Sequence, residues 1–536
     1  MATEKVQVVV VGGGATGTGI LRDLAMRGIS ALLVEQGDLA HGTSSRFHGL
    51  LHSGGRYAVK DQEAAKECLE ENMILRRIAS DCVEPTGGLF AALPEDDPAY
   101  AEKWVKACAE SGIKTEELNV KELLKKYPVL SPRITKAYST PDAAVDGFRL
   151  LWSNVNSARR YGAKMVTYHK LSAVSRANGA ITGVELTNTL NGEITSVECQ
   201  MVINAAGAWA GEVATMAGLE IHMIKDKGTL LAFNHRLTNQ VVNRLRPPGD
   251  ADIFVPHGTI TLLGTTSIAV EDPNCTKPSE IEVENMLNIG RETMPNIDNY
   301  RIIRAFAGVR PLYQANKGAG GRAVTRNFAL IDHEQKDGLK GLVSIVGGKF
   351  TTYRLMAEKT VDLAAKKLGN NTPCRTAEEP LTQPVTSEML ERGKKVFGVP
   401  GYKKAAERLG DAYGKVVEKA EQDPSMRRMF CECELVSASE IDYVAKDGDS
   451  KTLSDIRRKT RMGMGTCQGI FCSYRTLGAL GNNPQFTVGH REFITEFLQN
   501  RWRGIRPVLW GQQLRETQLS TGIFCSLFGM ERMNDE

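Results

Sequence analysis

Val8-Val9-Val10-Val11-Gly12-Gly13-Gly14-Ala15-Thr16-Gly17 is the stretch that decides the fold. Four consecutive β-branched residues are a strand buried on both faces. Ile20, Leu21, Leu24 and Ala25 then recur at helical spacing. Strand, tight turn and helix in this order form a dinucleotide-binding unit. Gly12 permits the turn, Gly14 lets the backbone approach a pyrophosphate, and Gly17 lets the helix pack closely on the strand. The helix N-terminus, at Ala15 and Thr16, then faces the anion. A second strand over 30–34 ends at Glu35, eighteen residues past Gly17. An acid there accepts hydrogen bonds from a ribose 2′-hydroxyl and disfavours a 2′-phosphate. A glycine turn that merely joins a strand to a helix needs neither the acid nor its register.

Small and hydroxylated residues follow, Asp38-Leu39-Ala40-His41-Gly42-Thr43-Ser44-Ser45-Arg46, suited to a flavin diphosphate and ribityl chain. The longer stretch 38–59, DLAHGTSSRFHGLLHSGGRYAV, resembles the signature of FAD-dependent glycerol-3-phosphate dehydrogenases, within the D-amino-acid-oxidase-like flavoproteins. Asn204-Ala205-Ala206-Gly207-Ala208-Trp209, Ala305 to Leu312 and Gly347 to Arg354 resemble that family's second FAD contact, substrate segment and closing flavin loop, in the same order. The resemblance implies FAD bound by Gly12, Gly14, Ala15, Thr16, Gly17, Glu35, Gly42, Thr43, Ser44, Ser45, Ala206, Gly207, Gly347, Gly348, Lys349 and Thr351. It also implies an α/β fold over residues 1–370. The Rossmann-like FAD-binding part is drawn from about 1–80, 145–220 and 325–370, and the stretches between build an antiparallel-sheet substrate part.

A phosphomonoester is best held by several cations, Arg with a planar fork of donors and Lys with a compact charge. Arg56, Arg310, Arg326 and Lys349 each sit beside small or turn residues in a matching segment. Any one of them alone reads as a solvated surface cation; four on matching motifs do not. By resemblance Arg56, Arg310 and Arg326 hold phosphate or neighbouring oxygens, and Lys349 lies near the flavin. Oxidising a secondary alcohol also needs a base for the hydroxyl proton, and histidine is the usual choice. His52 matches a family histidine. Where aerobic relatives have KGSH, this chain has Lys227-Gly228-Thr229-Leu230, which leaves His235, His257 or Arg310-assisted ionisation as alternatives.

Farther on stand Cys431-Glu432-Cys433, a spacer of thirty-three residues, and Cys467, with Cys472 following after four intervening residues. Four thiolates can close one site. Ser437-Ala438-Ser439-Glu440 and Thr452-Leu453-Ser454-Asp455 are capping boxes that open two spacer helices, the second ending at Gly463. Glycines around Cys467 leave backbone N–H groups able to approach sulfur. The segment resembles the [2Fe–2S] domain of bacterioferritin-associated ferredoxin, with Cys431, Cys433, Cys467 and Cys472 as ligands. Structural zinc is the alternative. Cys68, Cys82, Cys108, Cys199, Cys275, Cys374 and Cys525 are scattered, so they read as reduced thiols rather than a disulfide framework.

A chain of 536 residues exceeds one core, so several domains are expected. After 1–370 come a helical linker over 371–428, an iron–sulfur domain over 429–482 and a helical tail over 483–536, with 501–507 in a turn. A net charge of +4 implies no strong attraction to nucleic acid. The N-terminus lacks a secretory leader, and no apolar run is long enough to span a bilayer, so a cytoplasmic chain is expected. The resemblance implies oxidation of glycerol 3-phosphate to dihydroxyacetone phosphate. It also implies electrons leaving toward a quinone through partner subunits that hold the chain on the cytoplasmic face of the inner membrane. An amino-acid or hydroxy-acid dehydrogenase, and a non-catalytic electron-transfer or docking protein, are the competing readings.

Overall fold

A computed structural model of the chain describes residues 4–313, 327–399, 401–446, 449–480 and 490–528. The strand Val8–Val11 lies in the middle of a six-stranded sheet, between Met201–Asn204 and Ala31–Val34. Its pairings with both are parallel. Leu342–Gly347 continues the parallel order beyond Met201–Asn204, and Phe328–Asp332 closes that edge antiparallel. Val8 and Val10 pack toward the helices Ala15–Met26 and Tyr353–Lys367, with Ile20, Leu24, Met356 and Val361. Val9 and Val11 pack on the other face against Leu171, Val184 and Leu186 of a small four-stranded sheet. Two cores, one per face, are the reason for an unbroken apolar strand where a one-sided sheet would alternate. The glycine turn is sterically enforced: Gly12 has φ +116°, and a Cβ on Gly17 would stand 1.9 Å from the Gly12 carbonyl oxygen.

The second large sheet has eight strands. Its long central pair, Met223–Phe233 and Ile302–Tyr313, is antiparallel and sets Arg310 directly opposite Asp226. Antiparallel pairing dominates, with one parallel junction between Val241–Arg244 and Gly88–Ala92. Leu231, Phe233, Phe254 and Leu263 of this sheet form a core with Met286 and Leu287 of the helix Glu280–Thr293. That helix opens with a Ser279/Glu282 capping box. The α/β architecture that the resemblance implies, a Rossmann-like part beside a mainly antiparallel sheet, is therefore present, and the two parts meet where Thr43 Oγ1 donates to the Val309 carbonyl at 2.6 Å.

Beyond Lys367 the chain is stapled back by Arg22, whose guanidinium donates to the carbonyls of Thr376 and Glu379. Three helices, Ser387–Phe397, Gly401–Leu409 and Tyr413–Gln422, lead to the cysteine region. There Ala438–Lys446 and Leu453–Thr460 share a core with Phe493, Phe497 and Leu498 of the tail helix His490–Ile505. The second spacer helix ends at Thr460, with Arg461 left-handed as its cap, before Gly463 is reached. The turn expected over 501–507 is also shorter. Arg501 to Ile505 are helical and the break falls at Arg506–Val508, because Pro507 cannot continue the hydrogen-bond ladder. No helix among the described residues is long and apolar enough to cross a membrane.

Candidate functional site

Two cavities, about 150 and 460 Å³, share Ala15, Thr16, Thr43, Ser44, Pro311, Gly347 and Met356 in their walls and form one long groove. At its first end the Glu35 carboxylate accepts the N–H groups of Gly13, at 2.7 Å, and of Gly37, at 2.9 Å. Burial pushes this carboxyl up, and the two N–H donors oppose the shift. In the middle the helix Ala15–Met26 begins at Gly14 without a side-chain cap, and Ser44 Oγ accepts the Ala15 N–H at 2.9 Å. An open helix N-terminus beside a hydroxylated loop is a seat for a diphosphate. Gly12, Gly14, Gly42, Ala206 and Gly207 also line this half with Trp209 of the same segment, and with His169 and Lys170, which sequence reasoning did not single out. Gly17 does not line the groove; it packs on Gly12. Ser45 turns away, donating to the Gly42 carbonyl and facing a different cavity.

The far end gathers cations around two imidazoles. Arg56, Lys60, Arg310 and Lys349 line it together with His48 and His52. Arg310 is fixed by its cross-strand partner, with Nη1 at 2.6 Å from Asp226 Oδ2, and Nη2 donates to the Thr266 carbonyl at 2.9 Å. A side chain at Gly228 would meet Arg310 Nη2 at 2.4 Å, so the departure from the relatives' pattern at 227–230 keeps its glycine for a steric reason. Arg56 Nη2 reaches Asp252 Oδ2 at 3.2 Å, while its Nη1 is buried without a hydrogen-bond partner. Lys349 Nζ stands 5.2 Å from the Tyr57 ring centroid. Gly348 lines the same wall. Thr351 lies behind it, its hydroxyl accepting the His52 backbone N–H at 3.1 Å, so it ties down the main chain at His52 rather than lining the groove. Arg326 lies outside the described residues.

The His52 ring lies 5.8 Å from that of His48 and 5.2 Å from Tyr57, centroid to centroid. Burial, then the nearby His48, Arg56 and Lys349, hold its pKa well below the ordinary histidine value. A neutral imidazole can accept a proton, which is what the base must do. His48 is pushed down to about 3 by burial and by Arg56 and Arg310. The alternative histidines are elsewhere. His235 is exposed beside Tyr300 at the opposite end of the sheet, and His257 sits behind His48, its Nε2 3.0 Å from the His48 carbonyl oxygen.

The four C-terminal cysteines are brought together as two pairs. Cys433 and Cys467 stand 3.8 Å apart, Sγ to Sγ, and the Cys472 thiol hydrogen-bonds Cys431. Backbone N–H groups of Gly469, Ile470 and Phe471 point at Cys467 Sγ, and those of Gly463 and Glu434 at Cys431 Sγ. Gly465 is required by Cys433, whose Cβ would lie 2.3 Å from a Cβ there. Among the described residues no three His, Cys, Asp or Glu side chains converge to hold one metal ion. The remaining described cysteines are free thiols, and the side chain of Cys525 lies outside the described residues.

A Rossmann-type sheet, an uncapped helix aimed into a groove long enough for a dinucleotide, and a second sheet closing the reactive end define a flavin-dependent oxidoreductase. The model of the FAD dependent oxidoreductase family matches residues 7–362. The A subunit of the anaerobic glycerol-3-phosphate dehydrogenase of Escherichia coli (strain K12) is 41% identical over 99% of this chain and 98% of its own. The A1 subunit of the Haloferax volcanii enzyme of the same name is 44% identical over 96% of this chain and 89% of its own. The chain belongs to the family of anaerobic glycerol-3-phosphate dehydrogenase A subunits. The FAD-complexed glycerol-3-phosphate dehydrogenase structure from Bacillus halodurans shares the fold with a TM-score of 0.69, at 22% identity, over 98% of this chain and 95% of that one.

Proposed function

We propose that the chain oxidises sn-glycerol 3-phosphate to dihydroxyacetone phosphate. The observation that carries this reading is the groove itself. It runs from Glu35 past the open helix N-terminus to a cluster of four cations, Arg56, Lys60, Arg310 and Lys349. Guanidinium and ammonium groups gathered at one end of a cleft suit a phosphate. Arg56, Lys60, Arg310 and Lys349 orient the substrate by its phosphate and exclude alternatives without one. His52, held neutral by burial, with its main chain tied to Thr351, takes the hydroxyl proton. FAD, held along the groove by residues 12–16, Glu35, residues 42–44, Ala206, Gly207 and residues 347–349, supplies the two-electron acceptor for the hydride.

The finer reading extends to the cysteines. Two thiol pairs, each approached by backbone N–H groups, suit a [2Fe–2S] cluster better than a single zinc, which needs four sulfurs around one point. Cys431, Cys433, Cys467 and Cys472 would hold it, and it would supply a one-electron carrier between the flavin and a quinone reached by way of partner subunits that keep the chain at the inner face of the membrane. An anaerobic visible spectrum taken before and after adding glycerol 3-phosphate tests both parts. Loss of flavin absorbance with loss of cluster absorbance is the expected result. A flavin-loaded sample that does not bleach sinks the substrate assignment, and an oxygen-free preparation without cluster absorbance sinks the iron–sulfur one.

A further inference from the structure

A third cavity, of about 620 Å³, lies between the flavin-side loop and the cysteine loop. Ser44 and Phe47 divide it from the groove, and Met464 and Gln468 bound it on the cysteine side. Nothing in the dehydrogenase reaction uses it, yet its walls are charged at a cost. Arg46, Arg304, Arg457, Arg458 and Arg461 all line it. Two of these are neutralised, Arg458 by Asp38 and Asp455 and Arg461 by Asp146 and Glu434. The other three have no carboxylate partner among the described residues. Arg304 donates only to the Asn500 carbonyl, at 3.0 Å, and Arg457 only to Gln468 at the limit of hydrogen bonding, with its Nε buried and without a partner. The Arg46 guanidinium makes no hydrogen bond or ion pair among the described residues. Burial and mutual repulsion push all three guanidinium pKa values down. Buried cations that repel one another are retained where an anion offsets them.

The carboxylates in the wall do not supply that anion. Asp146 is taken by Arg461, Glu496 by Ser454 and Asn500, and Glu492 is exposed. The lining also includes the aromatic rings Phe148, Phe306 and Phe493. The volume falls in the range of small-molecule sites, about 300–1,000 Å³. We propose that this cavity binds an organic phosphate of mononucleotide size, its phosphate on Arg46, Arg304 and Arg457 and its flat apolar body against Phe148, Phe306 and Phe493. The site is separate from the substrate cleft and stands whether or not glycerol 3-phosphate is the substrate.

The test uses the full chain saturated with FAD. Small molecules released on denaturation are identified by mass spectrometry, and emptied protein is titrated with purine, pyrimidine and flavin 5′-mononucleotides and with inorganic phosphate, followed by calorimetry and thermal shift. The expected result is one organic phosphate per chain beyond FAD, or a 5′-mononucleotide that binds and raises the melting temperature. Arg304→Met and Arg457→Met each weaken that binding about tenfold or more with flavin content unchanged. Three results overturn the proposal: no release and no binding of any mononucleotide, inorganic phosphate binding as tightly as the best of them, or binding that vanishes when FAD is saturating. Should a variant fail to fold, the measurements on the unaltered chain decide alone.

Discussion

Arg56 and Asp252 form a buried ion pair, Nη2 to Oδ2 at 3.2 Å, and Asp252 also takes Arg246 at 2.8 Å. Arg246 has a second carboxylate, Glu292, at 3.5 Å, and Arg56, which lines the substrate end of the groove, shares Asp252 with it. Arg56→Met should lower kcat/KM for glycerol 3-phosphate by roughly 10²–10³-fold, the cost of about 3–4 kcal/mol expected when one member of a buried charged contact is lost. Steady-state kinetics check this, and an unchanged kcat/KM removes Arg56 from phosphate binding.

His52 is neutral at ordinary pH because it is buried among cations. The base form is therefore present without alkaline conditions, and only acid removes it. The rate of flavin reduction by substrate should rise with pH through a pKa below the ordinary 6.5 and then level. His52→Gln should slow that step by about 10²–10⁴-fold while FAD stays bound. Stopped-flow reduction across pH measures both, and a controlling pKa above about 7 in the unaltered protein argues for a different base.

His48 titrates at about 3 when folded and near 6.5 when unfolded. Between those values the unfolded chain binds the extra proton, so stability is complete above about pH 6.5 and is lost as pH falls toward 3. His48→Asn keeps an acceptor for the Leu50 N–H, which the ring nitrogen Nδ1 takes at 3.1 Å, and removes the titration. Urea midpoints for the variant should fall less steeply over that window. Parallel slopes for variant and parent would falsify the assignment.

The sequence made the nucleotide half legible because its constraints are local: a strand, a turn that only glycine can make at Gly12, and an acid a fixed distance on. The substrate end is made by tertiary approach. Lys60 and His48 come from a loop whose pattern carries no periodic signal, and Asp226 and Asp252, which set how the arginines point, lie on strands or beside them in a register that no short motif encodes. The KGSH departure drew attention to histidines that the fold sends elsewhere. In the cysteine region the spacing was readable, but the part played by the tail was not, since Phe497 meets the cysteine loop only after the helices between them have folded.

That contact carries the last prediction. Phe497 lies over Gly463 and Gly469, and a Cβ on Gly469 would stand 2.5 Å from its ring. Gly469 is also at φ +91°, where any other residue is strained. Gly469→Ala therefore meets two obstacles, a clash and a backbone penalty, and should displace the N–H groups that point at Cys467 Sγ. Adding Phe497→Ala relieves the first and leaves the second, at the expense of about 3–5 kcal/mol of lost packing in a small core. The ratio of cluster to flavin absorbance in anaerobically purified protein separates these effects. It should fall in Gly469→Ala and in Phe497→Ala with flavin content constant, and the double variant should lose less than the two losses summed, because contacting residues do not act independently. Strict additivity would mean that the ring and the glycine act on the cysteine loop by separate routes.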